Sequence, residues 1–451
     1  MKSNLLSSNF QQLLVTAVLG LLLVESAWAG ATYTVLHNFN GIDGEGSWGG
    51  VTLDQNGNVL GTGASGGNGG GCEPDGCGTV YELVSGAPGQ WTDSVLYDFS
   101  SCNDGCAPYG RPLVVGSGNI YGTTTGGPHY PGGAVFELTP GFAGWSETVL
   151  HAFCPTQECK DGAVPFAGVI TDGSGNLYGT TAGGGPHGGG VVFKLAPGHD
   201  GWKETVIHGF YPSYYNQPAP GGTGPYAGLI VDSAGNLYGT TTNGGTACAG
   251  GNSCGVVYEL APQIGGGWKE IVLHRFHGNN IDGVNPGWGA LFIDGTGSLY
   301  GTTVGGGTHL CGGMFGEEAP TGRAALGSQI GNCGTVFKLH KVGDGKWKQT
   351  ILHSFKSGTA GSHPNAGVVM DKAGNLYGIT DAGGYGDCGV IYKLAPQPTG
   401  KWAYTVLHTF GEGDDGCMPE GNLVIDQKGR LYGGTVLGGA YGSGMVFMLT
   451  P

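Results

Sequence analysis

The histidines of this sequence recur at one position of a repeated segment, Thr-Val-Leu-His-x-Phe and its variants. Imidazole is a common metal ligand and titrates near neutral pH, so a ring of histidines invites a metal-site interpretation. The recurring histidines are His37, His151, His208, His274, His353 and His408. They fall on separate repeats, and one ion needs several ligands within about 2 Å of one point. The spacing therefore favours a structural hydrogen-bonding role.

Aspartate followed by glycine recurs between the repeats, at Asp43, Asp104, Asp161, Asp282 and Asp415. If the repeats close into a ring around a central channel, as argued below, these carboxylates would surround its mouth. They could then bind a cation on the axis, because hard cations take clustered oxygen ligands. The same dipeptide is ordinary turn chemistry, and this second interpretation is favoured. These aspartates stay weak candidates, and the sequence assigns no metal and no cofactor.

An aromatic residue precedes the first strand-like piece of five repeats, at Trp48, Tyr109, Phe166, Tyr226 and Trp288. Asn365 and Glu420 take this position in the last two repeats. Aromatic side chains with polar tips suit a sugar or peptide ligand. Regular repetition is also what packing between repeats produces, and it favours packing. Both interpretations remain open.

Residues 304–333 form one unusually long loop that departs from the repeat and carries His309, Glu317, Glu318 and Arg323. Long loops on a rigid scaffold bind or cover sites, so Glu317, Glu318 and Arg323 join the five aromatic residues as candidate ligand-binding residues. His129 and His187 occupy matching loop positions in the second and third repeats. None of these groups has the spacing of a catalytic triad, metal site or phosphate loop, so no catalytic residue is assigned.

These residues are positioned by a unit that recurs seven times. Its segment starts at Thr34, Ser94, Thr148, Thr205, Ile271, Thr350 and Thr405. The third copy shows four strand-like pieces, at residues 167–171, 177–181, 190–195 and 202–210. Their β-branched and aromatic content, separated by Gly, Asn and Asp, predicts strands and hairpins. No segment keeps a helical period.

Seven such units predict an all-β, seven-bladed β-propeller with four antiparallel strands per blade, because radial repetition leaves only short sheet edges. The blades are expected at about residues 49–99, 110–153, 167–210, 227–276, 289–355, 366–410 and 421–449, in one domain of residues 30–451. The repeat starts with an outer strand and stops one strand short. Strand 33–39 should therefore pair in the last blade and close the ring.

One glycine recurs in the second strand of each unit, at Gly61, Gly122, Gly179, Gly239, Gly301, Gly378 and Gly433. A strand glycine often marks a close approach of other atoms. We expect a neighbouring blade or backbone to approach this position.

Residues 1–29 resemble a signal peptide, with Lys2, an apolar run at residues 13–24 and small residues before a cleavage point near Gly30. The run is short for a membrane span and no second one follows, so no transmembrane segment is expected in the mature chain. A formal charge of −15 argues against nucleic acid and anionic membranes as partners. We expect a monomer that is secreted or otherwise outside the cytoplasm.

Twelve cysteines fit an oxidising compartment and predict disulfides on the face that carries the irregular loops. Local pairing predicts Cys154–Cys159, Cys248–Cys254 and Cys311–Cys333, which leaves Cys388 with Cys417. Repeat equivalence then predicts Cys77–Cys106 and Cys72–Cys102. Local pairs between Cys72 and Cys77 and between Cys102 and Cys106 are the alternative.

The repeats Gly-Asn-Leu-Tyr-Gly-Thr-Thr and Gly-Thr-Val-Phe-Lys-Leu resemble the Gloeo/Verruco (GloVer) tandem-repeat family of secreted bacterial proteins, over residues 33–451. The resemblance implies the repeat architecture and export, and brings no activity or catalytic residues. The leading hypothesis is a non-enzymatic protein that binds a carbohydrate, a peptide or another exported protein through the disulfide-bearing face. The alternatives are a carbohydrate-active hydrolase or lyase at the channel mouth and a purely structural envelope component.

Overall fold

The fold was analysed in a computed structural model, which describes residues 30–72, 74–87, 89–129, 132–213, 219–245, 254–278, 282–309, 311, 333–343, 345–411 and 414–451. The expected signal peptide lies outside these residues. Within them the chain forms seven separate sheets of antiparallel strands, and the one short helix is a 3-10 turn at Tyr385–Asp387. No described helix has the length and apolarity to span a membrane. The predicted seven-bladed β-propeller is confirmed.

Each sheet is one blade of four strands, except that the fifth blade has five. Strand β1 is Thr32–Asn38. The first blade contains β2 (Val51–Leu53), β3 (Val59–Gly63), β4 (Thr79–Ser85) and β5 (Trp91–Asp98). The second contains β6 (Leu113–Val114), β7 (Ile120–Thr124), β8 (Ala134–Gly141) and β9 (Gly144–Ala152). The third contains β10 (Ile170–Thr171), β11 (Leu177–Thr181), β12 (Val191–Gly198) and β13 (Gly201–Gly209).

The remaining blades repeat this order. The fourth contains β14 (Ile230–Val231), β15 (Leu237–Thr241), β16 (Val256–Pro262) and β17 (Trp268–Arg275). The fifth contains β18 (Gly283–Pro286), β19 (Phe292–Ile293), β20 (Leu299–Gly306), β21 (Thr335–Val342) and β22 (Lys346–Ser354), with β18 and β19 both paired to β20. The sixth contains β23 (Val369–Met370), β24 (Leu376–Thr380), β25 (Val390–Pro396) and β26 (Trp402–Thr409). The seventh contains β27 (Gly416–Ile425), β28 (Leu431–Gly438) and β29 (Met445–Thr450), followed by β1.

The ring closes through β1, which pairs antiparallel with β29 as the outer strand of the seventh blade. Thr32 lies opposite Thr450 and Val35 opposite Phe447. The expected closure by the N-terminal strand is therefore confirmed. All four strands of this blade are hydrogen-bonded even though its outer strand comes from the other end of the described chain.

The hydrophobic core lies between blades. One cluster combines Val135 and Phe153 of the second blade with Leu177, Val191 and Phe193 of the third, all of them buried. Equivalent clusters join the other neighbouring blades. Because each sheet buries both faces against its neighbours, the blades fix one another and hold the axial ends of the inner strands in place.

The recurring glycine of the second strand faces an aromatic ring of its own blade. A methyl group added at Gly179 would lie 2.5 Å from Cζ of Phe193, the residue directly opposite it on β12. The rings that cover the other six glycines are those of Tyr81, Phe136, Tyr258, Phe337, Tyr392 and Phe447. The expectation that a neighbouring blade or backbone approaches these glycines was therefore wrong. The absent side chain provides room for a cross-strand ring.

Candidate functional site

The seven residues that precede the first strand of each unit surround one cavity at the end of the propeller axis. Its volume is about 120 Å³, and its wall includes Trp48, Tyr109, Phe166, Tyr226, Trp288, Asn365 and Glu420. We call this space the axial cavity. The inner strands of all seven blades converge on the axis, so residues far apart in sequence meet here.

The five aromatic residues form a continuous arc along one side of the axial cavity. Ring centroids of successive residues, from Trp48 to Trp288, lie 5.2 to 5.6 Å apart. Phe166 also contacts Trp288, at 5.6 Å. All five side chains are half-buried. The rings therefore pack on one another across blade boundaries and still present surface to the cavity, so the two interpretations of the sequence pattern are both realised in part.

Asn365 and Glu420 complete the ring of residues on the opposite side. The Asn365 Nδ2 atom donates to Oε2 of Glu420 over 3.1 Å, and both side chains are buried. Glu420 supplies the only carboxylate among the described residues that line the cavity. The cavity thus has an apolar wall formed by the first five blades and a hydrogen-bonded polar wall formed by the last two.

Small residues form the narrow floor of the axial cavity, where neighbouring inner strands approach backbone to backbone. A methyl group on Gly168 would lie 2.1 Å from the carbonyl oxygen of Arg111, and one on Gly367 would lie 2.2 Å from that of Ala290. Only glycine fits such contacts without displacing the backbone. The floor is therefore built from main chain, and larger side chains within it stand out.

Two larger side chains occur at the floor, Arg111 and Asn422, at a position where the other blades have Gly50, Gly168, Gly228, Ala290 and Gly367. The side chain of Asn422, in the seventh blade, contacts the sixth and fifth blades. Its Oδ1 accepts from the amide of Gly367 over 2.8 Å, and its Nδ2 donates to the carbonyl of Ala290 over 3.1 Å. Asn422 therefore links three blades beside the axis, and its polar atoms are already used by the fold.

Arg111 has a different environment. Its side chain lines the cavity and remains accessible to solvent, while the surrounding protein partly desolvates the guanidinium and lowers its pKa below the ordinary value. Even so, a guanidinium stays charged at physiological pH. The repeat pattern does not single out Arg111, because Arg111 occurs in one repeat only. Alignment of the seven repeats carries the signal, as a charged residue at a Gly/Ala position.

The repeated histidines and the Asp-Gly aspartates pair with each other away from the axial cavity. The Nε2 atoms of His37 and His408 lie 2.8 Å from Oδ2 of Asp43 and Asp415, respectively. His151 pairs with Asp161 over 3.0 Å, and His274 with Asp282 over 3.4 Å. The hydroxyl of Tyr97, which replaces the histidine in the first blade, donates to Asp104 over 3.0 Å.

These pairs correct the idea of an axial carboxylate ring. Among the described residues, no cluster of potential metal ligands contains two of the five aspartates. Each aspartate instead accepts a hydrogen bond from the outer strand that precedes its own loop. One cluster does combine His37, Asp43 and Asp93, but His37 faces Asp43 with Nε2 and Asp93 with Nδ1. The distance from Nε2 to Oδ2 of Asp43 is 2.8 Å, and the distance from Nδ1 to Oδ1 of Asp93 is 3.9 Å.

A carboxyl group of the next blade joins several of these pairs. Burial, followed by the charge of Asp104, raises the pKa of Glu147 to about 7. Burial and the charge of Asp161 do the same for Glu204, and burial also raises the pKa of Glu270, near His208, to about 7. In the sixth blade Tyr404 takes the equivalent position and stacks on His353 with centroids 4.1 Å apart. Burial lowers the pKa of that histidine to about 4.

The disulfides lie in the segments that connect strands, except that Cys417 lies near the start of β27. Cys154–Cys159, Cys311–Cys333 and Cys388–Cys417 are paired as expected. Cys254 is disulfide-bonded, while Cys248, its expected partner, lies outside the described residues.

The pairs expected from repeat equivalence, Cys77–Cys106 and Cys72–Cys102, were wrong. The structure has Cys72–Cys77 and Cys102–Cys106, with Cα atoms 5.1 and 4.8 Å apart. Cys388 lacks a cysteine of its own loop that corresponds to Cys72, so it bonds across to Cys417. Where a loop contains two cysteines, the short separation of four or five residues places them within disulfide range.

The other sequence candidates lie away from the cavity or outside the described residues. Glu317, Glu318 and Arg323 belong to the latter group. His187 stacks on Tyr211 with centroids 3.8 Å apart, and neither it nor His129 or His309 lines the cavity.

Comparison with known protein families finds a match to the repeats of this chain. The model of the Gloeobacter/Verrucomicrobia repeat family matches residues 22–246 and 321–451. No curated protein matches the chain in sequence.

Several solved structures are similar to this chain at low sequence identity. A fungal alcohol oxidase of the AA5 family, in complex with copper, is similar with a TM-score of 0.53 and 15% identity, over 93% of this chain and 76% of that chain. A protein of unknown function from Dyadobacter fermentans gives a TM-score of 0.42 and 11% identity, over 93% and 99% of the two chains. A Thermus thermophilus protein described as an oxidoreductase (glucose dehydrogenase) gives 0.40 and 14%, over 93% and 100%. At 15% identity the likeness to the oxidase concerns the fold alone.

Proposed function

The chain belongs to the Gloeobacter/Verrucomicrobia repeat family, and we propose that this β-propeller is an exported, non-enzymatic binding protein whose ligand enters the axial cavity. The observation that carries the proposal is the arc of five half-buried aromatic rings on one wall of that cavity, opposite a hydrogen-bonded Asn365–Glu420 pair. Apolar ring faces beside a few fixed polar groups are the usual composition of a small-ligand site.

The asymmetry of the ring supports binding over packing alone. If the position before the inner strand only filled space between blades, the same kind of residue would serve in all seven. Blades one to five have aromatic residues there, whereas the last two have Asn365 and Glu420. A ligand with one apolar face and one hydrogen-bonding edge would match these two walls.

The composition of the cavity also favours binding over glycoside hydrolysis. Hydrolysis of a glycosidic bond ordinarily uses two carboxyl groups about 5 to 10 Å apart. Among the described lining residues only Glu420 carries a carboxylate, and Asn365 already donates to it. One engaged carboxylate supports recognition of a hydroxyl or amide group better than acid–base catalysis.

Export is supported by the disulfides. Five bonds join described cysteines, and such bonds persist in oxidising compartments outside the cytoplasm. They crosslink the segments that connect the strands, so they would hold these segments in place in an oxidising compartment.

The test is a glycan-array and peptide-array screen of the purified exported protein, together with a polysaccharide-turnover assay. Trp288→Ala removes one ring of the arc, and Phe142→Ala, at an exposed residue of a distant hairpin, is the matched control. We expect binding that Trp288→Ala weakens at least tenfold and Phe142→Ala leaves unchanged, without turnover. Turnover, or a failure of every array to bind the protein, would overturn the proposal.

A further inference from the structure

We infer that the axial cavity selects an anionic sugar, specifically a ring that carries a carboxylate, through the guanidinium of Arg111. This inference rests on the proposed binding function and adds the chemical class of the ligand to it.

Arg111 supplies the only positive charge among the described residues of the axial cavity. In the described part of the chain, neither a hydrogen bond nor an ion pair engages its guanidinium. The protein carries 33 Asp and Glu against 18 Lys and Arg. The lack of an ion pair at Arg111 therefore does not result from a shortage of acidic residues. The guanidinium is accessible to solvent at the cavity wall, so its N–H groups are available to a ligand of opposite charge.

The fold does not need a side chain at this position. The backbone of Arg111 makes the close contact with Gly168, and the equivalent Gly50, Gly228 and Gly367 occupy the position with no side chain. The other exception, Asn422, uses its polar atoms to bond Gly367 and Ala290. Arg111 has no such structural use, so its side chain is best explained by what enters the cavity.

The chemistry of the two walls identifies the ligand class. A guanidinium presents parallel N–H groups that match the two oxygens of a carboxylate. Tyr109, two residues before Arg111, belongs to the aromatic arc, so an anion at Arg111 would place the attached ring against aromatic faces. Sugar rings have apolar faces and hydroxyl edges, and Glu420 with Asn365 offers acceptor and donor groups on the opposite wall.

The size of the cavity indicates how such a ligand enters. About 120 Å³ is well below the ~300–1,000 Å³ of sites that enclose a whole small molecule. We therefore infer end-on binding, in which the terminal uronate residue of a glycan enters the cavity and the remaining sugars stay outside it.

The experiment is isothermal titration of the full exported protein with an oligogalacturonide, the neutral galacto-oligosaccharide of equal length, and an acidic peptide. Arg111→Gly installs the residue found in four other blades, so it should fold, as circular dichroism and a thermal melt would verify. Arg275→Gln, at a half-buried arginine outside the cavity whose Nε donates to the Pro220 carbonyl, is the charge-matched control.

We expect the uronate oligomer to bind and the neutral one to bind at least tenfold more weakly. Arg111→Gly should reduce the affinity for the uronate oligomer at least tenfold, and Arg275→Gln should not. Equal binding of the two oligomers, sensitive to Trp288→Ala but not to Arg111→Gly, would overturn the inference and leave the proposed function intact. Preference for the acidic peptide would overturn the sugar class, and no binding by any probe would overturn both proposals.

Discussion

The rings of Tyr226 and Trp288, which belong to adjacent blades, stack with planes 10° apart and centroids separated by 5.2 Å. Phe166 of the preceding blade tilts against both of them. The aromatic residues of the axial cavity therefore connect blades as well as line the site, so stability and binding should respond to the same substitutions.

This stacking predicts an energetic coupling between Tyr226 and Trp288. A double-mutant cycle with Tyr226→Leu and Trp288→Leu should give a coupling free energy of about 0.5–1.5 kcal/mol, which is typical of an aromatic pair. Chemical denaturation would measure it. The cycle that combines Tyr226→Leu with Trp402→Leu is the control, because Trp402 packs in a different cluster. Additivity of both cycles would contradict the coupling.

The pKa of Glu204 predicts a pH dependence of stability. The folded-state pKa, about 7, lies above the ordinary value of 4.5, so the folded protein binds the proton more tightly than the unfolded chain. The contribution of Glu204 to the free energy of unfolding is fully present below about pH 4.5 and is lost as the pH rises through 7. Glu204→Gln, which copies Gln349 of the fifth blade, should therefore stabilise the protein more at pH 8 than at pH 5, on the order of 1 kcal/mol.

Thermal melts at the two pH values would measure this difference. Glu158→Gln, at an exposed glutamate paired with Lys160, serves as the control. If Glu204→Gln shifted the melting temperature equally at both pH values, the raised pKa of Glu204, caused first by burial and then by the charge of Asp161, would be contradicted.

The hydroxyl of Tyr392 is buried and finds no hydrogen-bond partner among the residues that the structure describes, so removing it should stabilise the protein. Four other blades have phenylalanine at this position, Phe136, Phe193, Phe337 and Phe447. Tyr392→Phe should raise the free energy of unfolding by about 1 kcal/mol. Tyr81→Phe is the contrasting variant, because the Tyr81 hydroxyl lies 3.2 Å from Oγ of Ser47. Loss of this hydrogen bond should lower the free energy of unfolding. A loss of stability in Tyr392→Phe would refute the prediction.

The ring over Gly179 predicts a steric penalty for any side chain there. Gly179→Ala should destabilise the protein by about 1–3 kcal/mol, since the new methyl group meets Phe193 inside a packed core. Gly173→Ala, at a turn glycine with open space around it, should have little effect. Denaturant melts of the two variants would distinguish the positions, and equal stabilities would argue against the close approach of the ring.

The disulfides should differ in how much they stabilise the protein, according to the length of the loop that each one closes. Cys388 and Cys417 are separated by 29 residues, and Cys72 and Cys77 by five. In the chain-entropy model, replacing the first pair by alanines should cost about 4 kcal/mol and replacing the second about 2 kcal/mol. Guanidinium denaturation would measure both, and non-reducing peptide mapping would verify the pairing. Similar costs would contradict the loop-length argument.

The repeat determined most of the fold that could be predicted. A seven-fold unit with strand-like pieces permits few arrangements other than a closed ring, and the missing last strand specified which end completes it. The partner of the recurring glycine was missed, because periodicity shows that space is needed but not which atoms fill it. The register of Gly179 opposite Phe193 supplies that information.

The site was less predictable. The repeat predicts that the five aromatic residues before the inner strands lie together at the channel mouth. These residues do line the axial cavity. The aspartates proposed for the axis pair instead with the outer strands, a choice set by loop geometry. Arg111 was not predicted from the repeat, because it replaces the small residue that most other repeats have at this position. In such an architecture, shared residues report on the scaffold and exceptional ones on recognition.

The pairing of β1 with β29 also bears on where this chain could be cut and rejoined. Thr32 faces Thr450 across one pair of strands, so a short linker between these ends would turn the seventh blade into an ordinary hairpin-connected sheet. A new opening could then be placed in the loop between any two other blades. In topological terms the molecule is a circle of seven equivalent units. The chain ends could therefore lie at any of the seven junctions between blades without a change of fold.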